Sequence, residues 1–291
     1  MKNVQRTFLP GSPWVYFKIY TGTKTADDLL IQAVLPVIKE LWKNRRIEKW
    51  FFIRYSDPDF HLRIRLLVSD IQYIGEIINL FHRRLNCWNT SRLLWKIQLD
   101  TYNRELERYG KMFIEETESF FWMDSECVLS IIKQLNNNEN HRWMIALKLI
   151  DSLLSDFNLD ISRKQQLMES VSKSYKPEFG FNEHNSKPFN AKFRENKTLI
   201  ESVLGNTIQD EAFLVLTIPI KKRSKKLAPI VEQITGKLTN KKIKAEDLLK
   251  SYIHMMMNRL FRSKNRVHEL ILYDFMRRYY TSALAKQKYS K

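Results

Sequence analysis

Two strand-like runs joined by a short turn constrain the fold of this chain most strongly. Residues 49–56 (KWFFIRYS) and 61–69 (HLRIRLLVS) are rich in aromatic and β-branched side chains, and the DPDF segment between them carries the Asp and Pro of a tight turn. The pattern predicts an antiparallel hairpin. In the second run His61, Arg63 and Arg65 alternate with Leu and Ile residues, so these nitrogen bases share one face of the strand while the other face can enter a core.

Helix and strand patterns on both sides of the hairpin complete a regular series. An aromatic run at 14–21 predicts a strand, and residues 25–46 and 74–85 carry apolar side chains at helical spacing, with Pro36 predicting a kink in the first helix. A fourth strand is predicted at 92–102. The order β-α-β-β-α-β is that of a ferredoxin-like unit, in which both helices cover one face of the sheet and leave the other face open.

The remainder of the chain predicts helices, the last two at 244–262 and 266–285. A basic run at 221–226 (KKRSKK) is interpreted as a solvated loop. We therefore expect an α+β fold. It consists of an N-terminal ferredoxin-like βαββαβ unit with an antiparallel sheet (residues 1–110) and a mostly helical C-terminal half (residues 111–291), which packs on the first unit to form one compact domain with it.

Composition limits the function classes. The chain has 291 residues, of which 44% are apolar, and this is enough for a buried core. Its formal net charge of +17 attracts nucleic acid, acidic membrane surfaces or polyanionic peptides, without indicating which of them. The sequence contains no N-terminal signal segment and no apolar run of membrane-spanning length, so a cytoplasmic location is expected.

Cofactor and metal motifs do not occur in the sequence. Cys87 and Cys127 stand alone, and the 6 histidines show no HxxxH or HxH spacing, so we expect neither a disulfide framework nor a metal site. The 7 glycines leave little material for dinucleotide-binding loops, and no GxSxG or HExxH motif is found. No cofactor is expected.

The cationic row formed by His61, Arg63 and Arg65 is the first candidate site. Arginine offers a planar fork that fits a carboxylate or phosphate bidentately. Lys18 on the first strand alternates with apolar residues, and it would extend the row if it points to the same face. Such a face is either a solvated outer surface or an anion site, and alternation alone leaves both interpretations open.

Two further candidates lie after the sheet. Arg108 in ERYG (107–110) precedes a glycine that can cap a helix C-terminus; the arginine can also simply balance the helix end or pair with Glu105. His254 lies at the edge of an apolar helical stripe in HMMMNRLF (254–261). A half-buried imidazole there can exchange protons near neutral pH or serve the structure alone.

Taken together, these motifs resemble a known family. The segments that carry the resemblance are WVYFKIYTG, KWFFIRYSDP, FHLRIRL, TYNRELERYG, FFWMDSECVLSII, LAPIV, HMMMNRLF and the ending YDFMRRYYTSALA with an upstream Glu. They are similar to the thiopeptide-type bacteriocin biosynthesis proteins and to the C-terminal elimination domain of class I lanthipeptide dehydratases. The resemblance covers nearly the whole sequence.

The resemblance implies a lyase reaction. A partner enzyme esterifies Ser or Thr of a ribosomal precursor peptide with glutamate from glutamyl-tRNA, and this domain expels the glutamate, leaving dehydroalanine or dehydrobutyrine. On the family's motifs the catalytic residues fall on Arg65, Arg108 and His254. Substrate binding is assigned to Arg63, Lys18 and Arg54.

The resemblance also implies partners. The chain lacks the large N-terminal glutamylation domain of family dehydratases, so it is expected to need a separate glutamylating dehydratase subunit and not to bind tRNA directly. Its substrate would be the glutamylated precursor peptide, with a cyclase as a further candidate partner. Whether it forms a homodimer is left open.

Three other functions compete with elimination. Free-standing relatives include pyridine synthases, which close the central ring of thiopeptides by cycloaddition on a dehydrated peptide. A βαββαβ unit with a basic open face is also how RNA recognition motifs are built, although the RNP1 pattern of aromatic and glycine residues does not occur here. A third alternative is a non-catalytic scaffold that docks a modifying enzyme onto its peptide.

Overall fold

The computed structural model describes residues 4–180, 183–238 and 245–289, and the chain divides into two compact units, residues 1–133 and 134–291. Whether residues 1–110 also form a domain of their own stays a prediction. The described strands, all in the first unit, are β1 (Thr7–Phe8), β2 (Trp14–Thr21), β3 (Ile47–Ser56), β4 (Phe60–Val68), β5 (Leu94–Leu99) and β6 (Tyr102–Asn103).

Helices occupy much of the rest of the chain. Those that begin in the first unit are α1 (Thr25–Leu29), a π-helical turn (Leu30–Val34), α2 (Leu35–Lys43), α3 (Ile74–Thr90), α4 (Leu106–Tyr109) and α5 (Ile114–Leu135). The second unit contains α6 (Glu139–Asp156), α7 (Ile161–Tyr175), α8 (Glu183–Leu204), α9 (Glu211–Leu238), α10 (Ala245–Leu260) and α11 (Asn265–Tyr289). An α+β fold with a mostly helical C-terminal half is confirmed.

Strands β2 to β5 form the predicted ferredoxin-like sheet. Their order across the sheet is β3-β4-β2-β5, and each neighbouring pair is antiparallel. The predicted hairpin is confirmed, because β3 and β4 pair continuously from Trp50 opposite Leu66 to Ser56 opposite Phe60. Strands β1 and β6 pair with each other in a separate two-stranded sheet.

The strand register gives the sheet two different faces. Lys18 of β2 lies directly opposite Arg63 of β4, so the two cations share one face of the sheet and Lys18 extends the row; we call this face the row face. On the opposite face, the helix face, Phe17 stacks on Phe81 of α3 with ring centroids 4.4 Å apart. The helix face is apolar in β2 and β4 and almost completely buried, with Ile19, Leu62, Ile64 and Leu66 each 0% exposed.

The first predicted helix continues through its proline. Pro36 lies at the second position of α2, directly after the π-helical turn, and the chain stays helical from residue 25 to residue 43. Because proline lacks a backbone N–H, a locally altered hydrogen-bond pattern in the preceding turn accommodates it.

The basic run 221–226 is not the solvated loop that its charge predicts, since it lies inside α9. Apolar residues before and after the run face the core at helical spacing, and this burial holds the segment helical. Arg223 is only 2% exposed, and its guanidinium donates to the Leu149 carbonyl at 3.3 Å. The Met256 sulfur lies 3.0 Å from the same group.

The last two predicted helices correspond to α10 and α11, with residue 244 outside the described residues. In α10 the three consecutive methionines are buried, as expected of core residues. Within the described ranges, no helix combines the length and the apolar character needed to cross a membrane.

Replacing Ile64 by alanine should destabilise the first unit by about 2–5 kcal/mol, because this side chain is 0% exposed and its loss leaves a cavity between sheet and helices. Ile71→Ala removes the same atoms from a side chain that is 58% exposed, and it should change stability by less than about 0.5 kcal/mol. Urea unfolding followed by circular dichroism measures both. Equal losses in the two variants would contradict the assignment of the helix face.

Candidate active site

Arg65 lies among aromatic rings on the row face. Its guanidinium carbon is 4.6 Å from the ring centroid of Tyr16, 4.7 Å from that of Tyr102 and 5.3 Å from that of Phe51. Tyr16 and Phe51 come from the neighbouring strands β2 and β3, directly opposite Arg65. These rings attract the cation through their quadrupoles and fix its plane.

Neither Arg63 nor Arg65 has a carboxylate within ion-pair distance among the described residues. The Nε atom of Arg65 is also buried without a hydrogen-bond acceptor in that part of the chain. Aromatic contacts compensate such a cation less completely than an anion does. The row face therefore carries positive charge that a bound carboxylate would satisfy.

Arg63 is held by a different set of contacts. Its guanidinium lies 3.5 Å from the ring centroid of Tyr55, and its Nε donates to Nε2 of His61 at 3.1 Å. His61 is 0% exposed, and its Nδ1 donates to the Asp59 carbonyl at 2.8 Å. This pair of hydrogen bonds requires the neutral imidazole with its proton on Nδ1.

The electrostatics of His61 agree with the neutral form. Burial lowers the pKa of His61 below its ordinary value, and the charges of Arg63 and Lys18 lower it further, against the opposing effects of the Asp59 carbonyl and Asp100. A neutral His61 fixes one nitrogen of Arg63 and leaves the two terminal nitrogens of the guanidinium to face other groups.

Lys18 joins the row face but is already paired. It forms an ion pair with Asp100, the residue directly after β5. Burial alone would raise the pKa of Asp100, but hydrogen bonds from Lys18 and from the Thr101 backbone, with the charge of Lys18, hold it below its usual range. The Lys18 charge is therefore largely neutralised in the absence of a ligand.

Arg54 lies apart from the row, although the sequence assigns it to substrate binding. It stands opposite Leu62 in the register, so its side chain belongs to the helix face. There its Nη2 donates to Asp27 of α1 at 2.5 Å, with the two side chains 3% and 4% exposed. This buried ion pair attaches α1 to the sheet, and removing one partner would leave an isolated buried charge.

A buried carboxylate of α5, that of Glu118, holds one of the rings that contact Arg65. Glu118, 1% exposed, accepts two bonds from the Arg104 guanidinium at 2.7 Å each and one from the Tyr102 hydroxyl at 2.9 Å. Burial raises the pKa of Tyr102 well above its ordinary value, and the neighbouring Glu118 raises it further, so Tyr102 stays a neutral donor. The hydrogen bond to Glu118 thereby fixes the hydroxyl end of the Tyr102 ring that contacts Arg65.

Arg108 lies in the short helix α4, where it pairs with Glu105 at 3.4 Å and faces the Tyr109 ring at 5.5 Å. Gly110 follows this helix with a φ of 77°, which glycine adopts without strain. A positive φ is what the predicted capping position requires. The Tyr109 ring contacts Phe121 of α5, which contacts Phe51. Through these rings α4 is connected to the aromatic surroundings of Arg65.

His254 belongs to α10 of the second unit and is half-buried, as predicted. Its Nδ1 lies 2.9 and 3.2 Å from the two carboxylate oxygens of Glu269 on α11, while no hydrogen bond of Nε2 to a described residue is found. Glu269 is 0% exposed and also accepts from the hydroxyls of Tyr175 at 2.5 Å and Tyr273 at 3.1 Å.

This arrangement fixes the orientation of the His254 ring. The hydroxyls of Tyr175 and Tyr273 donate to Glu269, and Nδ1 of His254 does the same. In the neutral imidazole this bond selects the tautomer whose Nε2 carries the lone pair. Burial raises the pKa of Tyr175, and Glu269 raises it further, so the tyrosine remains a donor across the physiological range. An imidazole oriented in this way can accept a proton at Nε2.

Sequence reasoning missed the partners of the cations and of the histidine. Tyr16 carries a signal, since it alternates in phase with Lys18. Tyr102 and Glu269 lie in segments that carry the family resemblance, but nothing in the sequence indicates their contacts with Arg65 and His254, which join distant parts of the chain. In the described ranges, no group of three or more His, Cys, Asp or Glu residues is suited to hold a metal ion.

Comparison with known proteins identifies relatives along most of the chain. Residues 14–280 match the family described as lantibiotic biosynthesis dehydratase C-term. The nisin biosynthesis protein NisB of Lactococcus lactis subsp. lactis is 31% identical over 139 residues, which is 46% of this chain and 13% of NisB. The epidermin biosynthesis protein EpiB of Staphylococcus epidermidis is 25% identical over 263 residues, which is 89% of this chain and 25% of EpiB. The chain thus matches a quarter or less of the length of these relatives.

Solved structures share the fold. The tRNA-dependent lantibiotic dehydratase MibB from Microbispora sp. 107891 superposes with a TM-score of 0.76 at 20% identity, covering 96% of this chain and 29% of MibB. The pyridine synthase TbtD from thiomuracin biosynthesis gives a TM-score of 0.68 at 11% identity, covering 94% of this chain and 98% of TbtD.

Acidification should weaken the structure around His61. Because burial holds the pKa of folded His61 below its ordinary value of 6.5, the unfolded chain takes up this proton first. The stability contributed by neutral His61 is therefore complete above pH 6.5 and is lost as the pH falls through the lower folded pKa. Urea unfolding at a series of pH values between about 5 and 8 measures this loss.

His61→Gln provides the matched variant, because its amide oxygen can accept the Arg63 bond but does not titrate. The variant should lose less stability than the wild type between neutral and acidic pH. His82→Gln, which removes an exposed histidine, should retain the wild-type pH dependence. Identical pH profiles for all three proteins would contradict the assignment.

Proposed function

Because this chain belongs to the C-terminal domain family of lantibiotic biosynthesis dehydratases, we propose that it eliminates glutamate from glutamylated Ser or Thr residues of a ribosomal precursor peptide. The observation that carries the proposal is the pair Arg63 and Arg65, held by aromatic rings and without an internal carboxylate among the described residues. The leaving group of the reaction is itself a carboxylate, which such a pair would bind.

The reaction requires removal of the α-proton of the esterified residue. The electron pair of its Cα–H bond becomes the second bond between Cα and Cβ. The bond between Cβ and the ester oxygen breaks, and this oxygen leaves with its electron pair as part of the carboxylate of free glutamate. The product is dehydroalanine from Ser or dehydrobutyrine from Thr, and no oxidant or reductant is needed.

The arginines supply electrostatic stabilisation in this scheme. Arg65 and Arg63 bind the glutamyl group and favour the negative charge that develops on the departing carboxylate, and Arg108 contributes to the same role. The aromatic contacts of Arg65 support this role, because they fix the guanidinium before the substrate arrives. Lys18 would exchange part of its pairing with Asp100 for the substrate.

His254 is the proposed base. Its Nε2 accepts the α-proton, and the buried carboxylate of Glu269 stabilises the imidazolium that results. The orientation of His254 by Glu269 supports the proposal, since the bond at Nδ1 leaves the lone pair on Nε2. The arginines belong to the first unit and His254 to the second, and each group is preorganised within its own unit.

The proposed substrate implies other proteins. Esterification of the peptide by glutamate would come from a separate glutamylating dehydratase subunit, which takes the glutamate from glutamyl-tRNA. This chain would then meet the glutamylated peptide and have no need of direct tRNA contact. The alkene product is an electrophile suited to thiol addition, so a cyclase is the proposed next enzyme.

A defined substrate tests the reaction. The purified protein is mixed with a synthetic peptide that carries one glutamylated Ser, and the products are weighed by mass spectrometry. Loss of glutamate with formation of an alkene supports elimination. An unchanged mass overturns it in favour of a scaffold or RNA-binding role. Ring formation from a peptide with two dehydroalanines, together with no loss of glutamate, identifies a pyridine synthase.

Arg65→Lys should lower kcat/KM for glutamate elimination by about tenfold or more. Lysine keeps the charge but loses the planar fork and the fixed ring contacts, and a loss of about 1.4 kcal/mol already corresponds to a factor of ten. Arg163→Lys, at an exposed arginine of α7, is the matched control and should retain wild-type activity. Full activity of Arg65→Lys would show that only the charge matters.

His254→Ala should lower the rate of elimination by about 10²–10⁴-fold, which is the usual contribution of a positioned general base. His141→Ala is the control, because His141 also pairs with a carboxylate, Asp210, at 2.9 Å and lies in the same unit. Single-turnover assays with saturating enzyme measure both rates. Unchanged elimination by His254→Ala would remove the histidine from the mechanism.

A further inference from the structure

Strand β5 leaves one edge of the sheet uncovered. It is the last strand in the order β3-β4-β2-β5, and among the described residues only β2 pairs with it. Trp95, Ile97 and Leu99 alternate along this strand and are 55%, 41% and 38% exposed. Proteins usually protect such edges with charges, prolines or covering segments. On β5 the charge of Lys96 is one such protection, but it alternates with an exposed apolar row.

A groove runs along the same edge. It has a volume of about 220 Å³ and lies between β5 and α3, with Trp95 and Ile97 on the strand side and His82, Asn86 and Asn89 on the helix side. A peptide that adds a strand to a sheet edge gains affinity from main-chain pairing and specificity from a pocket for alternate side chains, and this groove lies where such a pocket would be needed.

Several cations lie on or near the groove, and its lining contains no carboxylate. Lys96 lines the groove, and exposed Arg83 and Arg92 lie close in sequence, on α3 and in the turn before β5. Arg84 of α3 is already paired with Glu40 at 3.8 Å. A second copy of this chain would place the same cations opposite each other, which disfavours pairing of two β5 edges. A segment with acidic residues is the complementary partner.

We propose that the β5 edge docks an extended acidic and apolar segment of the precursor peptide, remote from the glutamylated residue, as an additional strand of the sheet. Main-chain groups of the segment pair with the free edge of β5, one or two of its apolar side chains enter the groove, and its carboxylates face Lys96 and Arg92. The identity of the peptide as the precursor rests on the proposed function, whereas the chemistry of the docking surface does not.

Direct binding tests the surface without catalysis. The probes are two fluorescent synthetic peptides of about ten residues, one alternating Val and Leu with Glu and Asp, the other with Lys in place of each acid. Fluorescence anisotropy should show that the acidic peptide binds at least about tenfold more tightly than the basic one. Equal affinity for the two peptides, or no binding of either, would overturn the proposal.

Variants locate the binding. Ile97→Asp places a negative charge on the apolar row and should weaken binding of the acidic peptide by about tenfold or more. Ile71→Asp makes the same change at another exposed isoleucine of the same unit and should leave binding unchanged. If Ile97→Asp binds like the wild type, or if it only abolishes self-association seen by analytical ultracentrifugation, the edge does not serve the peptide.

Activity assays separate this inference from the proposed function. With a short glutamylated peptide that lacks the docking segment, Ile97→Asp should keep the wild-type kcat/KM. With a longer substrate in which the acidic segment is attached, KM should rise in Ile97→Asp while kcat is retained. Loss of activity on both substrates would contradict the inference. If the wild type binds the acidic peptide but eliminates no glutamate, the proposed function is rejected, whereas the inference of a docking surface is retained.

Discussion

The alternation of β4 is the constraint on which the candidate site depends. Leu62, Ile64 and Leu66 are fully buried against the helices, so a shift of one residue in the register would move these three side chains to the row face and turn the charged ones toward the helices. The same burial fixes Arg63 and Arg65 on the row face, two residues apart and beside Lys18. The position of the cations is therefore a consequence of the core, and no separate interaction is needed to direct them to that face.

Contacts from other elements then determine what these groups can do. Arg65 is surrounded by rings, Arg63 is held by a neutral imidazole, and His254 is held by a buried carboxylate. In each case contacts within the protein fix the orientation of the polar group. Preorganisation of this kind lowers the reorganisation that a reaction requires.

The sequence alone predicted the strands of the sheet and the helices that cover it, because strand alternation and helical spacing are local signals. It also pointed to Arg63, Arg65 and His254 as candidate site residues, because their motifs stand out along the chain, and their roles stay predictions. The sequence did not predict which face of the sheet carries Arg54. That face depends on how β3 pairs with β4, and the partner of Arg54, Asp27, comes from another element. The ring contacts of Arg65 and the carboxylate beside His254 depend on tertiary packing, for which a single sequence contains no periodic signal.

Helix α9 bears on how this strongly basic protein can be engineered. Lys221, Lys222 and Lys225 are exposed, whereas Arg223 in the middle of the same run reaches into the core and donates to the Leu149 carbonyl. An exposed lysine can be exchanged for a neutral or acidic residue to reduce adhesion to nucleic acid during purification, since the surface tolerates such changes. Arg223 must be kept, because its removal would leave a buried acceptor without its donor.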